Sequence, residues 1–445
     1  MNDGQSEVEP TPVPATAKPV GEVRARWPWA EPSVWTERML TALESGVRGG
    51  KWHSLIDKVW SLANLRAAYA RVKRNHGAAG VDHQTVEGFE RRREENLAHI
   101  SEQLREGKYQ PQAVRRVMIP KPGRKEKRPL GVPTVRDRVT QTALRNVLEP
   151  IFEHEFAQHS YGFRPGRGAK DALRRVDALL KQGFTWVVDA DIKSFFDSID
   201  HERLMTLMEQ KIADSRVLAL LGQYLGQRVM ASMEAWTPEA GTPQGAVISP
   251  LLANIFLNPL DHVIAQAGYE MTRYADDFVV QCRSEEEARV ALAVIQTWMT
   301  TAGLRLHPDK TRIVNATAPG GFDFLGYHFE AGKRWPSKKS KQKLKDRHRA
   351  LTARTSGDSL KAIIASTNRV TRGWFEYFKH SHRAIFPELD GWLRGRLRSI
   401  LRKRRGGKGR ARGHDHQRWP NSFFAEQGLF SMTAAHVLAS QSSRR

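Results

Sequence analysis

The chain has 445 residues, 40% of them apolar and 27% charged, which is enough for two or three domains with a sizeable core. Its 71 Lys and Arg outweigh 48 Asp and Glu, giving a formal charge of +23 that points to a polyanionic partner, nucleic acid first. The single cysteine, Cys282, excludes an intramolecular disulfide and a Cys-rich zinc site, and no apolar run approaches the ~18 residues of a membrane span.

Residues 1–35, rich in proline and small polar side chains, read as a disordered leader that is neither a secretory signal nor a transit peptide. A helical stripe follows through Leu55, Val59, Leu62, Leu65 and Tyr69, broken by "HGAAGVD" at 76–82. Residues 115–133 predict two short strands around a basic Pro-Gly turn, 135–157 a helix, and "SYGFRPGRG" at 160–168 a loop. "FTWVVDADI" (184–192) predicts a strand on which Asp189 and Asp191 share a face. "AGTPQGAVISP" (240–250) is a Gly/Pro loop before a helix, and "YEMTRYADDFVVQC" a hairpin with two acids at its tip. The alternation predicts an α+β layer on a mostly antiparallel sheet.

Between 331 and 413 the chain holds 25 Lys and Arg against 5 Asp and Glu, a net of +20. Helical periods persist there, through Leu360, Ile363, Thr367, Val370, Trp374 and Phe378, then Leu389, Trp392, Leu393, Leu397 and Ile400. The segment is expected to be a folded basic domain, with Trp374 and Trp392 in its core and "RKRRGGKGRARG" (402–413) as a flexible linker.

In "RYADDFVV" the neighbouring carboxylates of Asp276 and Asp277 repel each other, and apolar flanks make their charge harder to solvate. A plain Asp turn is one reading. The other is a divalent-metal site shared with Asp191, because magnesium prefers oxygen ligands and two such ions assist phosphoryl transfer. The paired histidines at 380/382 and 414/416 lack a zinc pattern, and the glycine loops lack a phosphate-binding Gly-Lys-Ser/Thr ending.

With "YADD" and its neighbourhood in order, the chain resembles the reverse transcriptases encoded by bacterial group II introns. "DADIKSFFDSIDH", "GTPQGAVISPLLANIFL", "GLRLHPDKT" and "FDFLGYHF" are similar to successive polymerase motifs, and "SYGFRPGRG" to the intron branch. "TRGWFEYF" looks like the thumb, or maturase, domain, and "WPNSFFAEQGLFSM" like its continuation. The likeness runs from about residue 50 to 435. It implies an α+β right-hand polymerase, fingers and palm over 36–335, then an all-helical basic thumb/maturase domain over 336–405. A basic linker and short nucleic-acid-binding segment over 406–445 would follow.

The resemblance implies catalysis by Asp191, Asp276 and Asp277, which with the Ile192 carbonyl would hold two Mg2+ ions, Mn2+ being able to substitute. Lys121 and Arg128 would contact the triphosphate, Gln244 the incoming nucleotide, and Phe196 would exclude a ribose 2′-hydroxyl. Gly241 and Gly245 would permit close backbone approach, and Lys310 would act as general acid toward pyrophosphate. Asp189, Asp197 and Asp200 do not align and read as structural acids. Arg372, Arg394, Arg396, Arg398 and Arg402 are the expected RNA contacts.

The implied function is RNA-directed DNA polymerisation from a primer 3′-hydroxyl, joined to binding of the intron RNA for splicing and mobility. Partners would be intron RNA, RNA template, DNA primer and target, and deoxynucleoside triphosphates. No membrane partner is expected, and the location would be the bacterial cytoplasm, at the nucleoid when on DNA. Many relatives continue into a Cys/His-rich endonuclease domain absent here, so second-strand cleavage is not expected. Three other readings stand beside this one: a domesticated free-standing reverse transcriptase, a splicing factor with a vestigial polymerase, and an RNA-dependent RNA polymerase.

Overall fold

The computed structural model describes residues 22–120, 127–227, 229–231, 234–236, 241–242 and 245–442, with backbone alone for Glu22, Arg48, Arg128, 231, 234–236 and Ser442. Eleven strands run among these residues: β1 (Val114–Pro120), β2 (Lys127–Val132), β3 (Trp186–Asp191), β4 (Val229–Ala231), β5 (Glu234–Trp236) and β6 (Glu270–Tyr274). Then come β7 (Asp277–Cys282), β8 (Arg312–Asn315), β9 (Phe322–Phe324), β10 (Tyr327–Glu330) and β11 (Lys333–Pro336). They form sheets ordered β2-β1-β4-β5, β6-β7-β3-β8 and β11-β10-β9.

The chain divides into two compact units: residues up to Val117 with Pro129–Ala157 and Ser194–Asn258, and Met118–Arg128 with Gln158–Lys193 and Pro259–Arg445. The basic segment 331–413 clusters with the β6-β7-β3-β8 sheet in the second unit. The first unit is built on the helix Val135–Glu153, almost wholly buried and capped by Thr134, whose hydroxyl accepts from Asp137 N. A buried amide pair ties it to the helix Leu62–Asn75. Asn146 Nδ2 donates to Asn64 Oδ1 at 2.8 Å, and Asn64 Nδ2 donates to the Ala143 carbonyl at 3.0 Å.

The leader expected over 1–35 is shorter than the sequence suggested; residues 1–21 lie outside the described residues. Glu22–Arg26 is helical, and Val23, Trp27, Ala30, Val34 and Trp35 are buried. Trp35 Nε1 donates to the Asn146 carbonyl at 3.0 Å, so apolar anchors scattered among polar residues join the core without a periodic stripe.

In the second unit the sheet pairs are antiparallel, β3 lying between β7 and β8. Helices Ala169–Lys181 and Glu285–Thr301 pack on this sheet. Cys282, at the end of β7, is a buried thiol. The helix Leu360–Phe378 joins the same core, Phe378 packing with Phe322, Phe324, Tyr327 and Phe329. Tyr327 donates to the Tyr377 carbonyl at 2.6 Å and Tyr377 to the Leu325 carbonyl at 2.8 Å, which locks the strands β9 and β10 to that helix.

Beyond it, the helices Lys338–Leu351 and Ile385–Arg404 and three short C-terminal helices complete the basic domain. Buried Asp390 gathers the last of these, accepting from Ser431 Oγ, Met432 N, Thr433 N and Thr433 Oγ1. The expected flexible linker is bonded back onto the domain. Arg402 Nε donates to the Lys408 carbonyl at 3.0 Å, Arg354 to the Gly409 carbonyl at 3.0 Å, and Arg412 N to Asp415 Oδ2 at 2.7 Å.

Candidate active site

Asp191 ends β3, Asp277 begins β7, and the two are register partners. Side chains of directly opposed residues share a face, so Asp189, Asp191 and Asp277 all project from one side of the sheet. Asp276 lies in the two-residue turn joining β6 to β7, after Ala275 at φ 60°. A left-handed first turn residue suits a hairpin but is normally glycine, so this alanine needs support.

That support comes from two residues to which the sequence reading assigned no role. Arg273, fully buried on the sheet face opposite the acids, donates its Nε to Asp261 Oδ1 at 2.7 Å and Nη2 to Asp261 Oδ2 at 2.5 Å. Its Nη1 donates to the Ala275 carbonyl at 2.9 Å, holding the strained residue from below. The "SYGF" loop pairs with the outer edge of β6, Arg273 N donating to the His159 carbonyl and Tyr161 N to the Arg273 carbonyl. There Gly162 lies so close that a Cβ would sit 2.2 Å from Ala275 N and 2.7 Å from Tyr274 C. A buried arginine beside the acidic pair, and a glycine in a motif that precedes it by a hundred residues, were the available signals.

The acids crowd one another. The Asp277 carboxyl is pushed up to about 7, first by loss of surrounding water and then by Asp189, Asp276 and Asp191. The Asp277 residue is nonetheless exposed by surface area, so solvent screening limits the size of this rise. Asp276 is raised for the same reason, with Asp191 adding to it. Lys310 Nζ lies 2.5 Å from Asp191 Oδ2, and Arg312 Nε 3.1 Å from Asp189 Oδ2. Among the described residues no three His, Cys, Asp or Glu side chains close into a metal cluster. The chemistry of the donor set still fits a hard divalent cation: oxygens alone, two of the three carboxyls short of compensating charge.

The remaining expected residues are dispersed. Ile192 is buried and its backbone bridges Leu306. Lys121 and Gln244 lie outside the described residues, as does the side chain of Arg128, whose backbone is in β2. In the first unit Phe195 is buried against Phe256, whereas Phe196 stays half-exposed, so packing claims the first ring and leaves the second available. Gly241 has φ 94°, and a Cβ there would meet the Phe196 carbonyl at 2.7 Å; Gly245 is crowded likewise by Gly131 O. Asp200 caps the helix His201–Glu209, accepting from Arg203 N, and Asp189 pairs with Arg312.

The arginines of the basic domain divide by burial. Arg398 is 3% exposed and donates to the Trp419 carbonyl and Asn421 Oδ1, each at 2.9 Å. Arg402 pairs with Asp415 at 2.8 Å, and Arg396 donates to Thr352 Oγ1 and O. Arg372 is exposed, its guanidinium 4.5 Å above the Phe430 ring, and Arg394 is half-buried.

Residues 119–329 match the family "Reverse transcriptase (RNA-dependent DNA polymerase)", and residues 341–419 match "Group II intron, maturase-specific domain". The chain is 39% identical over 208 residues to "Group II intron-encoded protein LtrA" of Lactococcus lactis subsp. cremoris, covering 46% of this chain and 34% of that protein. It is 34% identical over 293 residues to "Protein YkfC" of Escherichia coli strain K12, covering 56% of this chain and 74% of YkfC. The match therefore spans about a third of the length of the LtrA relative. Among solved structures, similarity extends to a partial Cas6-RT-Cas1--Cas2 complex, with 26% identity, 56% of this chain, 41% of that one and a TM-score of 0.36. It also extends to an apo telomerase from Candida tropicalis, with 13% identity, 65% and 63% coverage and a TM-score of 0.43. No helix among the described residues is long and apolar enough to cross a membrane.

Proposed function

Since the chain belongs to the group II intron-encoded reverse transcriptases, with polymerase and maturase-specific domains in sequence, we propose that it copies RNA into DNA from a primer 3′-hydroxyl and binds its intron RNA to assist splicing and mobility. The observation that carries the reading is the register of β3 against β7, with Asp191 opposite Asp277 and Asp276 in the adjoining turn.

Asp191, Asp276, Asp277 and the Ile192 carbonyl would hold two Mg2+ ions, which when bound neutralise charge on the reacting phosphate oxygens and favour an ionised attacking hydroxyl. The new bond joins the primer oxygen to the α-phosphorus while the bond to the pyrophosphate oxygen breaks. Lys310 leaves Asp191 and gives that departing oxygen a proton. Lys121 and Arg128 would bind the triphosphate, Gln244 would meet the incoming nucleotide, and the half-exposed ring of Phe196 would crowd a 2′-hydroxyl.

The basic domain carries the second role, and its exposed cations rather than its buried ones supply RNA affinity that falls steeply with salt. Two measurements test the two halves. Primer extension on an RNA template by the purified chain must depend on divalent cation and deoxynucleotides. Crosslinking in the native cell, followed by sequencing of bound RNA, must recover one large structured RNA around the chain's own gene. A spread of unrelated RNAs, or one short dedicated template, would sink the maturase half and leave a free-standing reverse transcriptase.

A further inference from the structure

The basic domain contains a cavity of about 360 Å3 whose lining includes Arg349, Trp392, Arg396, Arg410 and His416 and no acidic side chain. That volume is within the range of small-ligand sites, about 300–1,000 Å3. Trp392, expected in the core, is only half-buried and forms part of the cavity wall. Its ring has Lys345 and Arg349 each 5.8 Å away and Arg396 6.0 Å away. An indole ringed by cations serves poorly as core and well as a surface for a flat, anion-bearing group.

The wall is built rather than loose. Arg396 is fixed by Thr352, and the segment bearing Arg410 is tied down by Arg354 on Gly409 O and by Ala411 N on Ser399 Oγ at 3.3 Å. Gly395, one turn beyond Trp392, keeps the floor open, since a Cβ there would meet nothing within 4 Å. The positive charge is under-compensated. Arg349 pairs with Asp346 and Lys345 with Glu388, but Arg410 forms no ion pair among the described residues. The Arg396 guanidinium is accordingly lowered by burial and then by Arg349 and Arg354.

We propose that this cavity receives one unpaired nucleotide of the bound RNA, its base against Trp392 and its phosphate among Arg349, Arg410 and His416. Neither the polymerase site nor the family matches assign such a subsite; the proposal rests on the reading that the basic domain binds RNA. A nucleotide within a strand fits better than a free one, because Lys403, Arg405, Lys408 and Arg412, close to Arg410 in sequence, are exposed cations available to a phosphate backbone.

The test uses the full chain and single-stranded RNA carrying 4-thiouridine, with mass-spectrometric mapping of the photo-adduct. Adducts on the peptides holding Trp392 or Arg410 support the proposal; firm RNA binding with adducts confined elsewhere overturns it. Trp392→Ala should weaken RNA binding about tenfold and Trp392→Phe about twofold, the scale of one base–aromatic stack. Arg410→Ala, a surface change that cannot unfold the domain, should weaken binding a few-fold and lower the salt slope by about one. Unchanged affinity in Trp392→Ala and Arg410→Ala together overturns the subsite while leaving RNA binding standing. Loss of the adduct to micromolar AMP would make the cavity a free-nucleotide site and reject the RNA assignment. If the wild-type chain binds no RNA, the maturase reading itself has failed, and the subsite with it.

Discussion

The acidic hairpin and the helix Ile385–Arg404 both carry charge into crowded surroundings, and they do so in opposite ways. At the hairpin, three like charges lie at the end of one sheet, two of them raised by lost water and by their neighbours. In the helix, Arg398 and Arg402 are satisfied by carbonyls, an amide and a carboxylate. Asp276 and Asp277 are short of compensating charge, whereas both helix arginines have their partners. A charged residue's role is therefore read from what compensates it, not from its type or from the density of its neighbours.

The largest effect that would break this comparison lies in the hairpin. Asp277→Asn is expected to lower primer extension by on the order of 10^3-fold or more, the scale of losing a charge-stabilising group. RNA affinity should stay within about twofold, measured by filter binding. The same change removes a mutual repulsion, so the metal-free protein should melt about 1–3 °C higher. A lower melting temperature would mean that the acids are structural after all.

Next comes Gly162→Ala, which forces a methyl group into the backbone of the turn. A displacement of about 1 Å there should cost kcat about 10–100-fold with KM for nucleotide little changed. Steady-state kinetics separates this from simple unfolding, which would lower the active fraction and leave the kcat of the remainder intact.

In the basic domain the contrast predicts a reversal. Arg398→Ala should destabilise the protein by about 2–4 kcal/mol, leaving buried acceptors unpaired. Arg372→Ala should cost about 0.5–1 kcal/mol in stability and weaken RNA binding instead. Denaturant melts and binding isotherms on both variants decide the matter, and equal stability losses would erase the division by burial.

The smallest effect concerns His348, buried beside Thr371, its imidazole pulled down to about 4 by burial. The unfolded chain binds a proton near the ordinary 6.5 while the folded domain refuses it until about 4. Stability is thus full above 6.5 and falls as the pH drops from there toward 4, by about 1–3 kcal/mol. His348→Gln should flatten that slope in melts taken across the window.

Much of this was legible in the sequence because strand geometry leaves few choices. The period of two put Asp189 and Asp191 on one face, and "YADD" between β-formers had to be a hairpin tip. Positions set by tertiary packing were not legible. Arg273 reads as one more base in a basic chain until Asp261, twelve residues earlier on a helix, receives it. Arg398 neighbours Leu397 on the buried face only because "WPNSFF" folds back to cover that side, a contact no helical period announces. Trp27 and Trp35 sit among prolines and polar residues, where composition says leader and burial says core. Trp392 fits a helical stripe, yet the stripe passes beside a cavity.

The pairing of the "SYGF" loop with the free side of β6 has one more outcome. A sheet margin offers unpaired amides and carbonyls to any extended peptide, and this one belongs to the strand leading straight into the acidic turn. With Ser160 bridged to Arg273, that margin is already taken by the chain itself. A nascent polypeptide or a second molecule meets a strand whose free side is partly paired, and the same contact braces the turn that carries the two acids.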